Sequence, residues 1–266
     1  MIANAVLGAG LELEEVKIAY GGNIAVNSAS LAAPVGTITG LIGPNGAGKT
    51  SLFNACNGLL RPTHGRIRFE GRDVTGASTA ARARAGLGRT FQVMQLVTAM
   101  PVRGNVALGA AARQAGRNPM HHVALSAARR ATVTQSARDA LDACGITDLA
   151  DAPIGSLSTG QRRLVELARV VAGGFRLLLL DEPSSGLDEE ETTRFADILR
   201  HVVADRHVGI LLVEHDMSLV MSVCAHVFVL DFGHMVFDGS PAEVTASPIV
   251  QTAYLGGEAV QEGVVA

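Results

Sequence analysis

The segment Gly43–Thr50, which reads GPNGAGKT, constrains the fold of this chain more than any other feature. The apolar run Thr37–Ile42 before it predicts a buried strand, and the apolar spacing after it predicts a helix at Thr50–Leu60. A glycine-rich loop between a strand and a helix turns successive backbone N–H groups toward phosphate oxygens, and the helix adds its N-terminal dipole. The sequence therefore predicts a nucleoside triphosphate site on an α/β fold.

The loop also contains one of the few lysines of the chain. Of the 22 lysine and arginine residues only Lys17 and Lys49 are lysines. A compact ammonium fits between β- and γ-phosphates, where the guanidinium fork of arginine would not. The Thr50 hydroxyl is a candidate ligand of Mg²⁺, and the Ser51 hydroxyl is expected to cap the same site. We expect the nucleotide to contact Gly43, Pro44, Asn45, Gly46, Ala47, Gly48, Lys49, Thr50 and Ser51.

Two further motifs follow the loop in a fixed order. LSTGQ occupies Leu157–Gln161, and the apolar run Leu177–Leu180 leads directly into Asp181 and Glu182. An acidic side chain just past a buried parallel strand points into the crevice where such sheets bind ligands. We therefore assign Asp181 to Mg²⁺ through a water molecule, and Glu182 to the polarisation of a water molecule in line with the γ-phosphorus.

The remaining pattern predicts alternating strands and helices, and hence a largely parallel sheet with helices on both faces. Leu11–Ala19 and Ser30–Thr37 favour an antiparallel β-sheet near the N-terminus. Residues of about 93–158 are rich in Ala and Arg, with apolar residues at helical spacing, which predicts a helical insert. Further strands are expected at Arg66–Glu70, Leu177–Leu180, Gly209–Val213, Val227–Asp231 and His234–Phe237, and further helices at Thr159–Val171, Glu189–Arg206 and Met217–Ala225.

Composition and charge exclude several classes of protein. The net charge of -3 gives no reason to expect a polyanion as an obligate partner. No apolar run approaches the roughly 20 residues that a membrane-spanning helix needs. One stretch, Val74–Arg138, holds nine arginines and no Asp or Glu. It is either a solvated basic face or a surface that meets anionic headgroups or acidic loops.

Taken together, the motifs resemble those of the nucleotide-binding subunits of ATP-binding-cassette (ABC) transporters. The resemblance covers about Leu11 to Gly239 and depends on six motifs in the family's order: GPNGAGKT, Gln92, LSTGQ, LLLLDEP, SSGLD at Ser184–Asp188, and His215 in VEHD. It implies a P-loop NTPase core of the ABC type with a mainly parallel sheet, an N-terminal antiparallel β-subdomain and a helical subdomain insert. The implied bounds are a single ABC ATPase domain at 11–257, with core segments 11–92 and 159–240, a helical subdomain at about 93–158 and a C-terminal extension at about 241–266.

The family's mechanism implies a role for each matching residue. Two subunits would face each other head to tail and enclose two ATP molecules. Ser158, Gly160 and Gln161 of one subunit would close on the γ-phosphate held by the loop of the other. Within one subunit Tyr20 would stack on adenine, and Gln92 would contact Mg²⁺ and the attacking water. Glu182 would be the general base, and His215 would hold the γ-phosphate. Asp188 would lie between the two ATP sites, across the dimer.

One residue departs from the family pattern. Thr159 occupies the place that is usually Gly in the LSGGQ motif. The sequence keeps Ser158 and Gly160, which supply the hydroxyl and the flexible backbone that face phosphate. We therefore expect ATP hydrolysis to survive with an altered rate.

The C-terminal segment narrows the resemblance to one branch of the family. From Val213 to Gly257, where the chain begins VEHDMSLVMS and ends AYLGG, it resembles the ATPases of branched-chain amino-acid importers, whose relatives import urea or short amides. Such importers pair two ATPases, as a homodimer or a heterodimer, with two permeases and an extracytoplasmic substrate-binding protein. This implies a peripheral location at the cytoplasmic face of the inner membrane.

Alternatives stay open at this point. The ATPase of lipopolysaccharide export shares VEHD and a C-terminal YLG, although the long insert and LVMS favour the amino-acid branch. Soluble cassette ATPases of translation or DNA repair usually join two cassettes in one chain or insert a long coiled coil, and this chain has neither. Phe91 is the only aromatic residue of the basic stretch, so we expect no nucleic-acid partner. The LSTGQ motif argues against a small-molecule kinase.

Overall fold

Strands and helices alternate along most of the chain in the computed structural model, which describes residues 9–90, 96–117 and 127–259. The predicted α/β fold class is confirmed. None of the helices in these ranges is both long enough and apolar enough to cross a lipid bilayer. The chain divides into two compact units, one made of the residues up to Thr79 together with those from Gly209 onward, and the other of Ala80–Val208.

The first unit contains an antiparallel sheet with the strand order β2-β1-β4-β5. Leu11 and Leu13 are buried on alternate positions of β1, as expected where one face of a sheet covers a core. The predicted start of β2 at Ser30 is wrong, because the chain already reverses at the tight turn Gly21-Gly22. The predicted end at Thr37 is also wrong, because the chain turns at Val35-Gly36, where Gly36 has a φ of 85°. The strands are β1 (Gly10–Tyr20), β2 (Asn23–Pro34), β4 (His64–Phe69) and β5 (Arg72–Asp73).

The same unit contains four more strands in the order β10-β9-β3-β8. They are β3 (Ile38–Ile42), β8 (Gly209–Val213), β9 (His226–Asp231) and β10 (His234–Gly239). Strand β3 is parallel to both β8 and β9, and β9 and β10 form the predicted hairpin. Every residue of β3 and β8 is buried, in line with the apolar character of both strands, in which Thr39 is the one polar residue.

Helices of the first unit flank these strands. They are α1 (Lys49–Asn57), α7 (Met217–Val223), α8 (Pro241–Ala246) and α9 (Pro248–Ala259). The predicted end of α1 at Leu60 is wrong, because Gly58 adopts a left-handed conformation with φ of 80° and its N–H bonds back to the carbonyls of Asn54 and Ala55. Helix α7 ends two residues earlier than the predicted Ala225, and helices α8 and α9 were not predicted.

In the second unit, strand β6 (Leu87–Arg89) pairs in parallel with β7 (Leu177–Asp181). Strand β7 and helices α5 and α6 agree with the sequence prediction to within one residue, whereas the short elements α2 and β6 were not predicted. The helices are α2 (Thr79–Ala85), α3 (Val102–Arg117), α4 (Ala127–Ala143), α5 (Thr159–Ala172) and α6 (Glu189–Arg206).

The predicted helical character of the insert is confirmed by α3 and α4, which pack against each other and against α5. Helix α3 approaches α5 so closely at Gly109 that a Cβ atom there would lie 1.8 Å from the carbonyl oxygen of Arg169. A side chain at position 109 would therefore force the two helices apart. The residues that recur at helical spacing are all buried, namely Val133, Ala137, Ala140, Leu141 and Cys144.

The arginines of Val74–Arg138 do not form a single basic surface. Arg82 is only 1% exposed, Arg89 forms a buried ion pair with Asp181, and Arg103 pairs with Asp151. Both predictions for this stretch, a solvated face and a docking surface, are therefore wrong for Arg82 and Arg89. For Arg89 the reason is that a later strand supplies the carboxylate that the stretch itself lacks.

Candidate functional site

The phosphate loop, Gly43–Thr50, leaves the end of the buried strand β3 and enters helix α1. Two of its glycines are required by close packing. A Cβ atom on Gly43 would lie 1.9 Å from the carbonyl oxygen of Leu230, and one on Gly48 would lie 2.4 Å from that of Ala25. Gly48 also has a φ of 102°, which favours glycine strongly. The loop is therefore held tightly between β2 and β9.

Lys49 lies at the first position of α1 and is 8% exposed. Its ammonium donates hydrogen bonds to the carbonyl oxygens of Gly43 and Pro44, at 2.6 and 2.9 Å. Through these two bonds the loop bends around the ammonium group of Lys49. Among the described residues no side chain caps the N-terminus of α1 and no acidic residue lies in its first turn. Backbone N–H groups, a helix dipole and a held cation together fit an anionic group such as a triphosphate.

Tyr20 and Ser51, both predicted to contact the nucleotide, lie side by side. The Tyr20 hydroxyl is 3.3 Å from the Ser51 hydroxyl, and Tyr20 is 52% exposed. Tyr20 ends strand β1, and Ser51 lies in the first turn of α1 with the exposed Thr50. The structure thus brings the predicted adenine-stacking ring to the helix that starts at the phosphate loop.

Two segments to which the sequence analysis gave no role at the nucleotide site also support the phosphate loop. At the turn between β9 and β10, the Gly233 N–H donates to the Ala47 carbonyl at 2.9 Å. From helix α9, the Tyr254 hydroxyl is buried near Gly43. Burial raises the pKa of Tyr254 to about 12, and the backbone of Gly43 opposes this increase. A structural role for the AYLGG segment could not be derived from its composition, because it depends on a contact across the fold.

Asp181 is the last residue of β7 and is 3% exposed. Arg89 donates from Nη2 to its Oδ2 at 3.3 Å, and both side chains are at least 90% buried. The Asp181 backbone N–H donates to the Thr90 hydroxyl at 3.4 Å. This arrangement fixes the carboxylate at the end of the strand, as predicted. Arg89 was missed as a site residue because the sequence prediction treated it as part of a basic surface.

Glu182, the predicted general base, adopts a left-handed conformation with φ of 47°. Such a conformation costs an ordinary residue about 1–3 kcal/mol and is concentrated at functional sites. It occurs here because the chain turns sharply after β7, where the Ser185 N–H donates to the Glu182 carbonyl at 3.2 Å.

Ser158 and Gln161 form a reciprocal capping box at the start of α5. The Gln161 N–H donates to the Ser158 hydroxyl at 3.2 Å, and the Ser158 N–H donates to the Gln161 side-chain oxygen at 3.0 Å. The two residues that the resemblance assigns to phosphate binding therefore also start the helix. An N-terminus of this kind directs its backbone donors outward, in line with a phosphate-binding role.

Asp188 starts α6 in the same way, with Glu191 as its partner in the capping box. The Glu191 N–H donates to Asp188 Oδ1 at 2.8 Å. Thr159, the residue that departs from the family pattern, lies next to this segment. Its Cγ2 atom is 3.4 Å from the place that a Cβ on Gly186 would take. The methyl group of Thr159 thus lies beside the SSGLD segment, although the residue as a whole is exposed.

His215 follows strand β8, and its side chain is 60% exposed. Its backbone N–H donates to the carboxylate of Glu214 at 3.2 Å, and that carboxylate is fully buried. Asp216 then caps helix α7. This places the His215 ring at the surface with its backbone anchored, as a phosphate-binding side chain requires. Gln92 and Phe91 lie outside the described residues, so the role of Gln92 stays a prediction.

No group of three or more His, Cys, Asp or Glu side chains that could hold a metal ion occurs within the described ranges. This is compatible with Mg²⁺, which proteins commonly bind through one or two side chains together with substrate phosphates and water. The buried carboxylate of Asp181 and the exposed hydroxyl of Thr50 are oxygen donors of the required kind.

Two family models match the chain. A model described as ABC transporter matches residues 26–185, and a model described as branched-chain amino acid ATP-binding cassette transporter matches residues 234–260. The first match includes the phosphate loop, the LSTGQ motif and Asp181-Glu182. The second includes β10, α8 and Tyr254, the residue that lies near Gly43.

The chain is also similar to individual proteins over nearly its whole length. The high-affinity branched-chain amino acid transport ATP-binding protein BraF of Pseudomonas aeruginosa is 35% identical over 249 residues, which cover 92% of this chain and 97% of the relative. The corresponding protein LivG of Salmonella typhimurium is 35% identical over 250 residues, with the same coverage. LivG of Escherichia coli K12 is 33% identical over 250 residues, again with the same coverage.

Solved structures of similar fold come from the same kind of protein. An ATP-binding cassette of an ABC transporter in its ADP conformation superposes with a TM-score of 0.81 at 27% identity. A nucleotide-free ATP-binding cassette from an ABC transporter gives 0.78 at 28% identity. Both alignments cover 92% of this chain and 98% of the other.

Proposed function

Since the chain belongs to the ABC transporter family of ATP-binding proteins, we propose that it hydrolyses ATP to power a membrane importer of branched-chain amino acids or related amides. The observation that carries this proposal is the match of two separate segments. The phosphate loop, LSTGQ and Asp181-Glu182 lie in residues 26–185, and the C-terminal match at 234–260 is to a model of the branched-chain amino-acid branch. The same match argues against lipopolysaccharide export and against a soluble ATPase of translation or DNA repair.

ATP binds at the phosphate loop of a single ABC ATPase domain, 11–257. The Lys49 ammonium moves from the loop carbonyls to the β- and γ-phosphates, while the N-terminus of α1 binds the same group through its backbone N–H groups. Tyr20 stacks on adenine at the edge of α1. Thr50, Gln92 and, through water, Asp181 would hold Mg²⁺, which would supply positive charge against the phosphates.

Hydrolysis needs a water molecule placed in line with the γ-phosphorus. Glu182 accepts a proton from that water as the general base, and its backbone adopts a left-handed conformation at the turn after β7. His215 binds the γ-phosphate through its exposed imidazole. Most of the rate acceleration in such a reaction comes from positioning and charge neutralisation rather than covalent chemistry.

A second ATPase subunit completes the site. Ser158, Gly160 and Gln161 of one subunit close on the γ-phosphate bound by the other, and Asp188 connects the two sites. The partner is either a copy of this chain or a related ATPase. Two permeases receive the resulting motion at the cytoplasmic face of the membrane, and an extracytoplasmic binding protein delivers the solute.

The test is a pull-down of the tagged Glu182→Gln chain in mild detergent with ATP, because slow hydrolysis should retain the assembled state. Two different permeases and a second small ATPase, identified by mass spectrometry, are the expected partners. The matched control is Glu189→Gln, which removes a carboxylate from the exposed first turn of α6. Recovery of lipid-export permeases would instead support a role in lipopolysaccharide export. Recovery of ribosomal or DNA-associated proteins without any permease would contradict a role in transport.

A further inference from the structure

The carboxylate of Glu191 joins two segments that the proposed function places at the interface between subunits. Its Oε2 accepts the Asp188 backbone N–H at 3.4 Å, which completes the capping box of α6. Its Oε1 accepts a hydrogen bond from the Ser158 hydroxyl, also at 3.4 Å. One side chain therefore connects the SSGLD segment to the LSTGQ segment. Both bonds are long and hence weak, so either one can be exchanged at little cost.

The same carboxylate lies directly against Gly160. A Cβ atom on Gly160 would be 2.4 Å from Glu191 Oε1 and 2.6 Å from its Cδ. No other amino acid fits at position 160 while the carboxylate keeps this place. The negative charge thus lies against the two residues, Ser158 and Gly160, through which the proposed function brings LSTGQ onto a γ-phosphate.

Hydrogen bonding at Ser158 makes the contacts with Glu191 and with phosphate mutually exclusive. The Ser158 hydroxyl accepts the Gln161 N–H at 3.2 Å and donates its single hydrogen to Glu191. A phosphate oxygen only accepts, so it must take that same hydrogen. The Glu191 charge also repels the phosphate at short range.

We propose that Glu191 is a positioning residue that holds the Ser158 hydroxyl until the γ-phosphate bound by the other subunit displaces it. This inference depends on the proposed two-subunit arrangement. When the phosphate displaces Glu191, its Oε1 loses the Ser158 hydrogen bond. Because the same carboxylate accepts the Asp188 N–H, the arrival of ATP at LSTGQ then affects the SSGLD segment. The contact raises the ATP concentration needed to close the interface, and it takes no part in the chemical step.

Glu191→Gln tests this role without removing the cap, because Gln is equally suited to the third position of a capping box. The neutral amide is a weaker acceptor for Ser158 and does not repel phosphate. In the detergent-purified complex, we expect the ATP concentration at half-maximal hydrolysis to fall roughly two- to fivefold, the size of a partly screened charge interaction. The effect should appear in this concentration rather than in kcat, and should diminish as salt increases.

The matched control is Glu190→Gln. Glu190 is exposed in the same first turn of α6 and makes no hydrogen bond to Ser158 within the described part of the chain, so it removes the same charge without the contact. An unchanged half-maximal concentration for Glu190→Gln, beside a lower one for Glu191→Gln, supports the proposal. An equal decrease of this concentration in both variants would mean that the loss of net charge alone causes the effect, and would overturn the proposal.

The result also separates this inference from the proposed function. If the wild-type complex hydrolyses ATP and the Lys49→Ala complex does not, the ATPase assignment stands. An unchanged half-maximal concentration in Glu191→Gln then overturns only the role of Glu191. If the wild-type complex shows no hydrolysis, the proposed function and this inference fail together.

Discussion

At the scale of single residues, Lys49 carries the most direct prediction. Lys49→Ala removes the ammonium that the Gly43 and Pro44 carbonyls hold within the phosphate loop. A charged hydrogen-bonding group contributes about 1.5–3 kcal/mol, so we expect ATP affinity to fall by roughly ten- to a hundredfold. Isothermal titration calorimetry of the purified chain with ATP measures this directly.

Lys17→Ala is the natural control for that experiment. Lys17 is the only other lysine of the chain and lies on β1, outside the phosphate loop. Its removal changes the net charge by the same amount, and ATP affinity should stay at the wild-type value. Equal affinities of wild type and Lys49→Ala for ATP would contradict the assignment of the phosphate loop.

Some residue roles could be predicted from sequence because the contacts that define them are local. Lys49 bonds to carbonyls five and six positions away, and Ser158 bonds to Gln161 within one helical turn. Arg89 and Asp181, in contrast, are 92 positions apart, and Glu191 lies 33 positions from Ser158. No periodicity or spacing indicates such pairs, because the parallel pairing of β6 with β7 and the packing at the start of α5 and α6 create them.

At the scale of elements, the helices of the second unit depend on close packing at one glycine. Gly109→Ala places a methyl group 1.8 Å from the Arg169 carbonyl, so α3 must move away from α5. Overpacking of this kind typically costs about 1–3 kcal/mol. The urea midpoint of unfolding should decrease accordingly, as followed by circular dichroism.

Gly155→Ala serves as the control for this substitution. Nothing lies within 4 Å of a Cβ at Gly155, and its φ is outside the left-handed range. It should leave the urea midpoint close to the wild-type value. A Gly109→Ala chain as stable as Gly155→Ala would mean that α3 and α5 are further apart than the structure has them.

The boundaries of elements were predicted less well than their existence. Strand β7 and helices α5 and α6 have strong signals, since they are either uniformly apolar or begin at a capping box. Helix α1 ends early because Gly58 turns left-handed, and β2 begins early because Gly21-Gly22 forms the turn. Helices α8 and α9 were missed because they were treated as an extension, although Ser240 and Pro241 are a typical helix start.

At the scale of the whole molecule, the chain carries the sequence motifs of a transport ATPase. In the proposed arrangement the permeases, and not this subunit, contact the transported solute. The nature of the solute is therefore inferred from the branch of the family, through the match at residues 234–260. Tyr254 belongs to this segment, and its hydroxyl is buried near Gly43 of the phosphate loop.

The most direct test of the central claim is ATP-driven uptake of radiolabelled leucine, isoleucine or valine into proteoliposomes that contain the purified complex. We predict uptake with the wild-type chain, and its loss with Glu182→Gln at undiminished ATP binding, because the general base is missing. Hydrolysis by the wild-type complex without uptake of any branched-chain amino acid, urea or short amide, or uptake that persists in Glu182→Gln, would contradict the account.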